Sequence, residues 1–340
     1  MRFDPEQEEL RRTVRTLLER AAGGDAWRLL AEQVGALGLA IPEEYGGAGF
    51  SVLETHVLLE ELGAALAVPG FLSTTLAAQA ILAGDSAEAK AALLPGIAEG
   101  ATHAAVAWEA SGVTATEEAS GWRLTGTADH VLDGSEANLL IVPAQMPERR
   151  SPTALFVVAA GDAAVSEVET VDPGRPQAHV EFRAAPALSL GADPARVLDL
   201  ACVAISAEQV GAAQRAFDLT LAYAKQRVQF GRPIGSFQAV KHRLADLFTL
   251  LESARSASYA AAFAAASGHE LTVAASRAKA YCSEAFSTIA GEAIQLHGGI
   301  GITWEHPIHL YFKRAHATSQ LFGSPAWHRQ RYARAIGLAA

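Results

Sequence analysis

Three long helical patterns fill the chain from Asp193 onward, and each has a readable start or stop. Asp193-Pro194 sets an N-capping side chain before a proline at the first helical position. Apolar residues then recur at helical spacing to about Arg227. A second pattern runs from about Phe237 to Ala266 and stops at Ser267-Gly268. A third runs from about Leu271 to His297 and stops at Gly298-Gly299, read as a C-cap with a left-handed glycine. A shorter helix is predicted at about 308–321. Long helices joined by short loops cover their apolar faces against one another, which predicts a four-helix bundle over 191–340.

The preceding sequence differs in texture. Residues 1–102 are rich in Ala, Leu and Glu, with helical spacing such as Leu10, Val14, Leu17 and Leu18. Between 103 and 190 the runs become short and extended: HAAVAW, WRLTGT, NLLIVPA, ALFVVAA and HVEF. Turn residues such as ASG (119–121) and LDGSE (132–136) separate them, as expected of a small β-domain. The predicted fold class is therefore mostly α with a middle β-domain.

Charge and cysteine usage narrow the function. A formal net charge of −10 lacks the basic surplus of a nucleic-acid binder. No run of about 18 apolar residues suggests a membrane span. MRFDPEQEELRR at the start is charged and lacks the apolar core of a secretory signal. Cys202 and Cys282, the only cysteines, fall in helical patterns and read as reduced, buried thiols of a cytoplasmic protein. No metal-ligand spacing is present.

One stretch points to chemistry. AIQLHGGIGITWEHP (293–307) ends a helix and then places Gly298, Gly299 and Gly301 directly after Gln295 and His297. Clustered glycines let backbone N–H groups approach an anion, although the same glycines also serve as a helix stop.

YAKQRVQFGRPIGSFQAVKHRLADL (223–247) resembles the signature of the acyl-CoA dehydrogenases, an Arg-x-x-Phe-Gly segment followed by Phe-Gln and Leu-Ala-Asp. IPEEYGGAG near the N-terminus and Gln295-x-x-Gly298-Gly299-x-Gly301 resemble the same family, in its order and spacing. The resemblance covers nearly the whole chain. It implies a helical N-terminal domain, a β-barrel and a C-terminal four-helix bundle, with FAD as cofactor and an acyl-CoA thioester as substrate. It also implies an electron-transfer acceptor. In that family a carboxylate takes the α-proton and the flavin accepts a hydride. One subunit holds the flavin ring, and its neighbour reaches the pyrophosphate and adenosine end. On that pattern Arg227, Gln229, Phe230, Gln238, Gln295, Gly298 and Gly299 are the cofactor contacts, supplied to a neighbouring subunit. Singly, Arg227 also reads as a solvated helix-end cation.

The half of the site that a subunit keeps for itself departs from the family pattern. Phe322, in HATSQLFGSPAW (316–327), stands where the catalytic Glu is expected; only its backbone N–H could serve a thioester oxygen. Ala201 stands at the alternative base position. Glu208 lies seven residues further along the same helical face, about 10 Å away, and reads either as a relocated base or as a buried, paired structural carboxylate. AWEASG (107–112) replaces the flavin-side Thr-Glu-Pro block, with Trp108 for Thr and Ala110 for Pro. In HVLDG (130–134), Leu132 replaces the hydroxyl residue that faces flavin N5.

The expectation is a non-catalytic subunit with no catalytic residue of its own. Its partner would be a related acyl-CoA dehydrogenase subunit carrying the Glu, in a heterotetramer of the kind that oxidises steroid side-chain CoA thioesters in actinobacteria. Two alternatives stay open: a homo-oligomeric enzyme using Glu208, and a flavin-free protein of the same fold that binds an acyl-CoA or a protein.

Overall fold

The structure is a computed structural model that describes residues 3–21, 25–110, 112–146 and 153–338. Met1 and Arg2 of the opening segment and Ser111 of AWEASG lie outside the described residues. The chain divides into two compact units, Met1–Leu18 with His56–Ala67 and Cys202–Ala340, and Glu19–Thr55 with Val68–Ala201.

The N-terminal helices are α1 (Pro5–Arg20), α2 (Ala26–Val34), α3 (Val52–Ala65), α4 (Phe71–Leu82) and α5 (Ala87–Ala98). Val14 and Leu17 bury the predicted stripe of α1. The β-domain follows with β1 (Ala104–Val106), β2 (Thr114–Glu118), β3 (Gly121–Leu132), β4 (Leu139–Gln145), β5 (Thr153–Ala159), β6 (Ala164–Val168) and β7 (Gln177–Ser189). Pairing runs β4–β2–β3–β7–β5 and returns from β5 to β4, so these strands close on themselves; β1 adds to β4 and β6 adds to β7. Along β7, Ala178, Val180 and Phe182 alternate inward. They meet Leu124, Leu140, Val142 and Phe156 in the barrel core.

The long C-terminal helices are α6 (Pro194–Gln226), α7 (Gln238–Ser267) and α8 (Leu271–His297), followed by α9 (Ile308–Gln320) and α10 (Pro325–Ala335). The Asp193 carboxylate accepts from the Ala195 N–H, as an N-cap does. Gly268 ends α7 with φ 71°. Gly298 departs from the expected left-handed cap. Its φ is 64° but its ψ is −145°, and its N–H donates to the Gln295 and Ile294 carbonyls. The chain therefore leaves α8 by a sharp turn into a 3₁₀ segment, Gly298–Ile302. The helix α10 adds a fifth C-terminal helix to the expected four.

Within the first unit, α3 and α6 cross at backbone distance. A Cβ on Gly63 would lie 2.2 Å from the Glu208 carbonyl oxygen, and one on Gly211 would lie 1.8 Å from that of Glu60. A buried ionic cluster flanks the crossing. Arg11 Nη1 lies 3.0 Å from Glu60 Oε2 and 3.2 Å from Glu61 Oε1. Arg255 Nη1 lies 2.6 Å from Glu60 Oε1, and the Tyr259 hydroxyl donates to Glu60 Oε2 at 3.1 Å. Buried carboxylates persist only when charged and hydrogen-bonding partners replace water in this way.

Candidate cofactor-contact site

A two-residue hairpin follows α6. Strands β8 (Val228–Gln229) and β9 (Arg232–Pro233) pair antiparallel, with Val228 opposite Pro233 and Gln229 opposite Arg232. Phe230 and Gly231 make the turn at φ 53° and 76°. Both central residues being left-handed is the mark of a type I′ hairpin. Glycine adopts that backbone freely, whereas Phe230 does so at a cost of about 1–2 kcal/mol. The residue is nonetheless 91% exposed. The fold gains little from a strained aromatic held in water, an arrangement that suits contact with another molecule.

Arg227 sits at the base of this hairpin. Its N–H donates to the Tyr223 carbonyl and its own carbonyl accepts from Ile234 N–H, both at 2.8 Å. The side chain is exposed. Gln229 donates from Nε2 to the Val228 carbonyl at 2.8 Å, which keeps it on the hairpin. The Arg232 guanidinium lies 4.0 Å from the Phe237 ring centroid, and Phe230 meets the same ring edge-on at 6.2 Å. These contacts tie the hairpin to the start of α7. Gln238, the next residue, lies with Nε2 3.5 Å from His242 Nε2.

The second predicted segment ends α8. Gln295 is exposed in its last turn, and Gly298 and Gly299 are exposed beyond it. A Cβ at Gly299 would meet nothing within 4 Å, and its φ lies outside the left-handed region. This chain's own packing therefore places no demand for glycine there. Gly301 differs: a Cβ on it would come within 3.0 Å of His297 Cβ, because the turn folds back on α8.

Rings to which the sequence assigned no role join the two segments. Tyr223 stacks on His297 at 4.4 Å with an interplanar angle of 26°. His297 also packs on His306 at 4.3 Å. Burial holds the His297 and His306 imidazoles below the usual histidine range, with His306 and His309 respectively adding to the effect. Beside the hairpin a groove of about 420 Å³ is lined by Leu221, Ala224, Pro233, Gly235 and Leu244, with Lys225 and Lys241. Apolar walls with two ammonium groups suit an anion attached to an aromatic or aliphatic body. These lysines were visible in the sequence, but only the return of the hairpin onto α6 and α7 makes them neighbours.

The positions expected to hold a base are closed. Phe322 is 8% exposed and stands at φ 61° between α9 and α10. Ala201 is buried on α6. Glu208 is 5% exposed, on the stretch of α6 where α3 crosses at Gly63. In the same interior, Lys279 Nζ donates to Ser283 Oγ at 3.0 Å and to the Ser319 carbonyl at 2.9 Å. Burial pushes its ammonium down to about 8. In the β-domain Leu132 is buried at the end of β3. The neighbouring Asp133 accepts a 2.6 Å hydrogen bond from Ser73, and its carboxyl is pushed up by burial. Cys202 and Cys282 are buried and form no disulfide. Among the described residues no helix is long and apolar enough to cross a membrane.

Comparison with known proteins agrees with this architecture. Residues 4–101 match the family described as acyl-CoA dehydrogenase, N-terminal domain, and residues 195–337 match acyl-CoA dehydrogenase, C-terminal domain. The chain is 39% identical over 335 residues to acyl-CoA dehydrogenase IpdE2 of Mycobacterium tuberculosis, covering 94% of each. Among solved structures it is similar to one chain of the ChsE4-ChsE5 complex from Mycobacterium tuberculosis, at 30% identity and TM-score 0.92, covering 100% of this chain and 99% of that one. It is also similar to a chain of a variant of the Tcur3481-Tcur3483 steroid ACAD, at 34% identity and TM-score 0.89, covering 97% of each.

Proposed function

The chain belongs to the acyl-CoA dehydrogenase family, and on that premise we propose that it is the non-catalytic subunit of a hetero-oligomeric member, completing the FAD site of a related subunit that carries the catalytic Glu. Gly299 carries the reading: it is exposed, with open space at its Cβ position and no conformational need for glycine. A glycine that its own chain does not require is accounted for by a body approaching from outside. The adjoining residues fit the pyrophosphate and adenosine end of FAD. Arg227 offers an exposed guanidinium, Phe230 an exposed ring, Gln229, Gln238 and Gln295 polar heads, and the groove two lysines. Gly298 supplies the turn that presents Gly299, since its N–H is occupied in capping α8.

When bound, FAD supplies the hydride acceptor for α,β-desaturation of an acyl-CoA thioester. This chain's residues neutralise the cofactor's anionic end and leave proton abstraction to the partner, because Phe322 and Ala201 have no proton to exchange. Similarity to chains of the ChsE4-ChsE5 complex and the Tcur3481-Tcur3483 steroid ACAD favours a heterotetramer acting on a steroid-type CoA thioester. An electron-transfer acceptor and a cytoplasmic setting complete the proposal.

The test is Arg227→Ala in the chain co-expressed with its partner subunit. Loss of retained FAD with assembly intact supports the reading. Unchanged FAD retention rejects it.

A further inference from the structure

His297 is the last residue of α8 and is 3% exposed. Its Nδ1 lies 2.7 Å from the Ala293 carbonyl, one turn back. A carbonyl can only accept, so Nδ1 carries the proton and Nε2 holds a lone pair. That Nε2 is buried and has no hydrogen-bond partner among the described residues. The ring is thus held by one hydrogen bond and by its faces and edges.

Those contacts reach both proposed cofactor segments. Tyr223, stacked at 4.4 Å, supplies the carbonyl that holds Arg227 N–H. Gly301 closes over the His297 Cβ, which fixes the Gly298–Ile302 turn. His306, at 4.3 Å, accepts Ile308 N–H at Nδ1 and so locks the exit of the turn to the start of α9.

We infer that His297 is a positioning residue whose ring fixes the Arg227 hairpin and the Gly298–Ile302 turn at one separation, so that both meet the same anion. This rests on the cofactor reading proposed above. Tyr223 also meets His306 edge-on at 6.3 Å, so the Tyr223–His297 stack, at 4.4 Å, is the tighter of the two ring contacts that tie α6 to the residues flanking the turn.

The joint needs a neutral imidazole. The titratable neighbours are Tyr223 from α6, His306 from the connecting loop, and His309 and Lys313 from α9 beyond it. Glu292, one turn before His297 on α8, is engaged by Arg243 at 3.2 Å. A proton added at His297 Nε2 would create a cation beside a second histidine, without an acceptor. The joint therefore holds at neutral pH and loosens in acid, as His297 and His306 take up protons.

The experiment uses the co-expressed complex, with FAD affinity read near pH 7.5 and then at successively lower pH, since burial moves the His297 step below the ordinary histidine range. His297→Ala is expected to weaken FAD at least about tenfold at the higher pH without dissociating the subunits. His297→Phe, which keeps a ring against Tyr223 but cannot be protonated, should restore affinity to within about threefold and abolish the acid step. Wild-type affinity and pH profile in His297→Ala would overturn the inference, provided Arg227→Ala does lose FAD. If Arg227→Ala leaves FAD unchanged, the cofactor reading itself has failed. Amide exchange of Gly299–Thr303 in the full chain alone then decides the positioning role: faster exchange in His297→Ala upholds it, and unchanged exchange overturns it.

Discussion

His328 donates its Nε2–H to the Phe322 carbonyl across 2.8 Å, with the His328 side chain fully buried. Cys202 Sγ lies 3.6 Å from the same nitrogen. Phe322, which the family resemblance sets where a catalytic carboxylate is expected, is thereby built into the core, its backbone held by α10 at a φ of 61°. His328→Leu removes that buried hydrogen bond and is expected to cost about 1–3 kcal/mol. The urea unfolding midpoint checks this.

Placing a carboxylate at Phe322 should not make the chain an enzyme. Phe322→Glu puts an ionisable group into an 8% exposed site and is expected to destabilise the chain by about 1–3 kcal/mol or more. No acyl-CoA oxidation should appear in the purified chain, as a dye-reduction assay would read.

Gly299→Ala separates folding from binding. The added methyl meets nothing within 4 Å, so the thermal midpoint of the isolated chain should stay within about a degree or rise. In the co-expressed complex the proposed cofactor contact would meet the same methyl, and retained FAD should fall.

What the sequence made legible follows from how each signal is stored. α8 begins and ends where Leu271 and Gly298 predict, because capping and helical spacing are local. The barrel strands were legible from alternation, as in Ala178, Val180 and Phe182. α10 was missed although Ser324-Pro325 repeats the signature of Asp193-Pro194. Its only fully buried residue is His328, so it has no apolar stripe to read. The cluster of Arg11, Glu60 and Arg255 was illegible because its partners lie far apart in sequence. Arg227 and Gly299 were singled out by motif resemblance, whereas the Tyr223–His297 contact between their segments needed three dimensions.

The His56 imidazole makes the fold sensitive to acid. Complete burial, with Arg11 adding its charge, pushes it from 6.5 down to about 3. Above the unfolded value both states hold a neutral ring, and the stability is fully present. As pH falls from there, the unfolded chain takes up the proton first, and the stability is lost down to the folded value. Between pH 6.5 and 5 this single group should remove about 2 kcal/mol. His56→Gln should flatten that part of the stability–pH curve, measured by urea titration.

Gly63 and Glu208 distinguish a structural carboxylate from a base. Gly63→Ala places a methyl 2.2 Å from the Glu208 carbonyl oxygen, which must shift α3 and cost about 1–3 kcal/mol. Glu208→Gln should leave turnover of the co-expressed complex intact, whereas a catalytic Glu208 requires its loss.

The most direct measurement is the visible spectrum of this chain purified alone and with its partner subunit, alongside acyl-CoA turnover. The expected result is no stoichiometric flavin and no turnover alone, with both present in the complex and FAD lost on Arg227→Ala. Stoichiometric flavin with dehydrogenase turnover in the isolated chain would contradict the non-catalytic role.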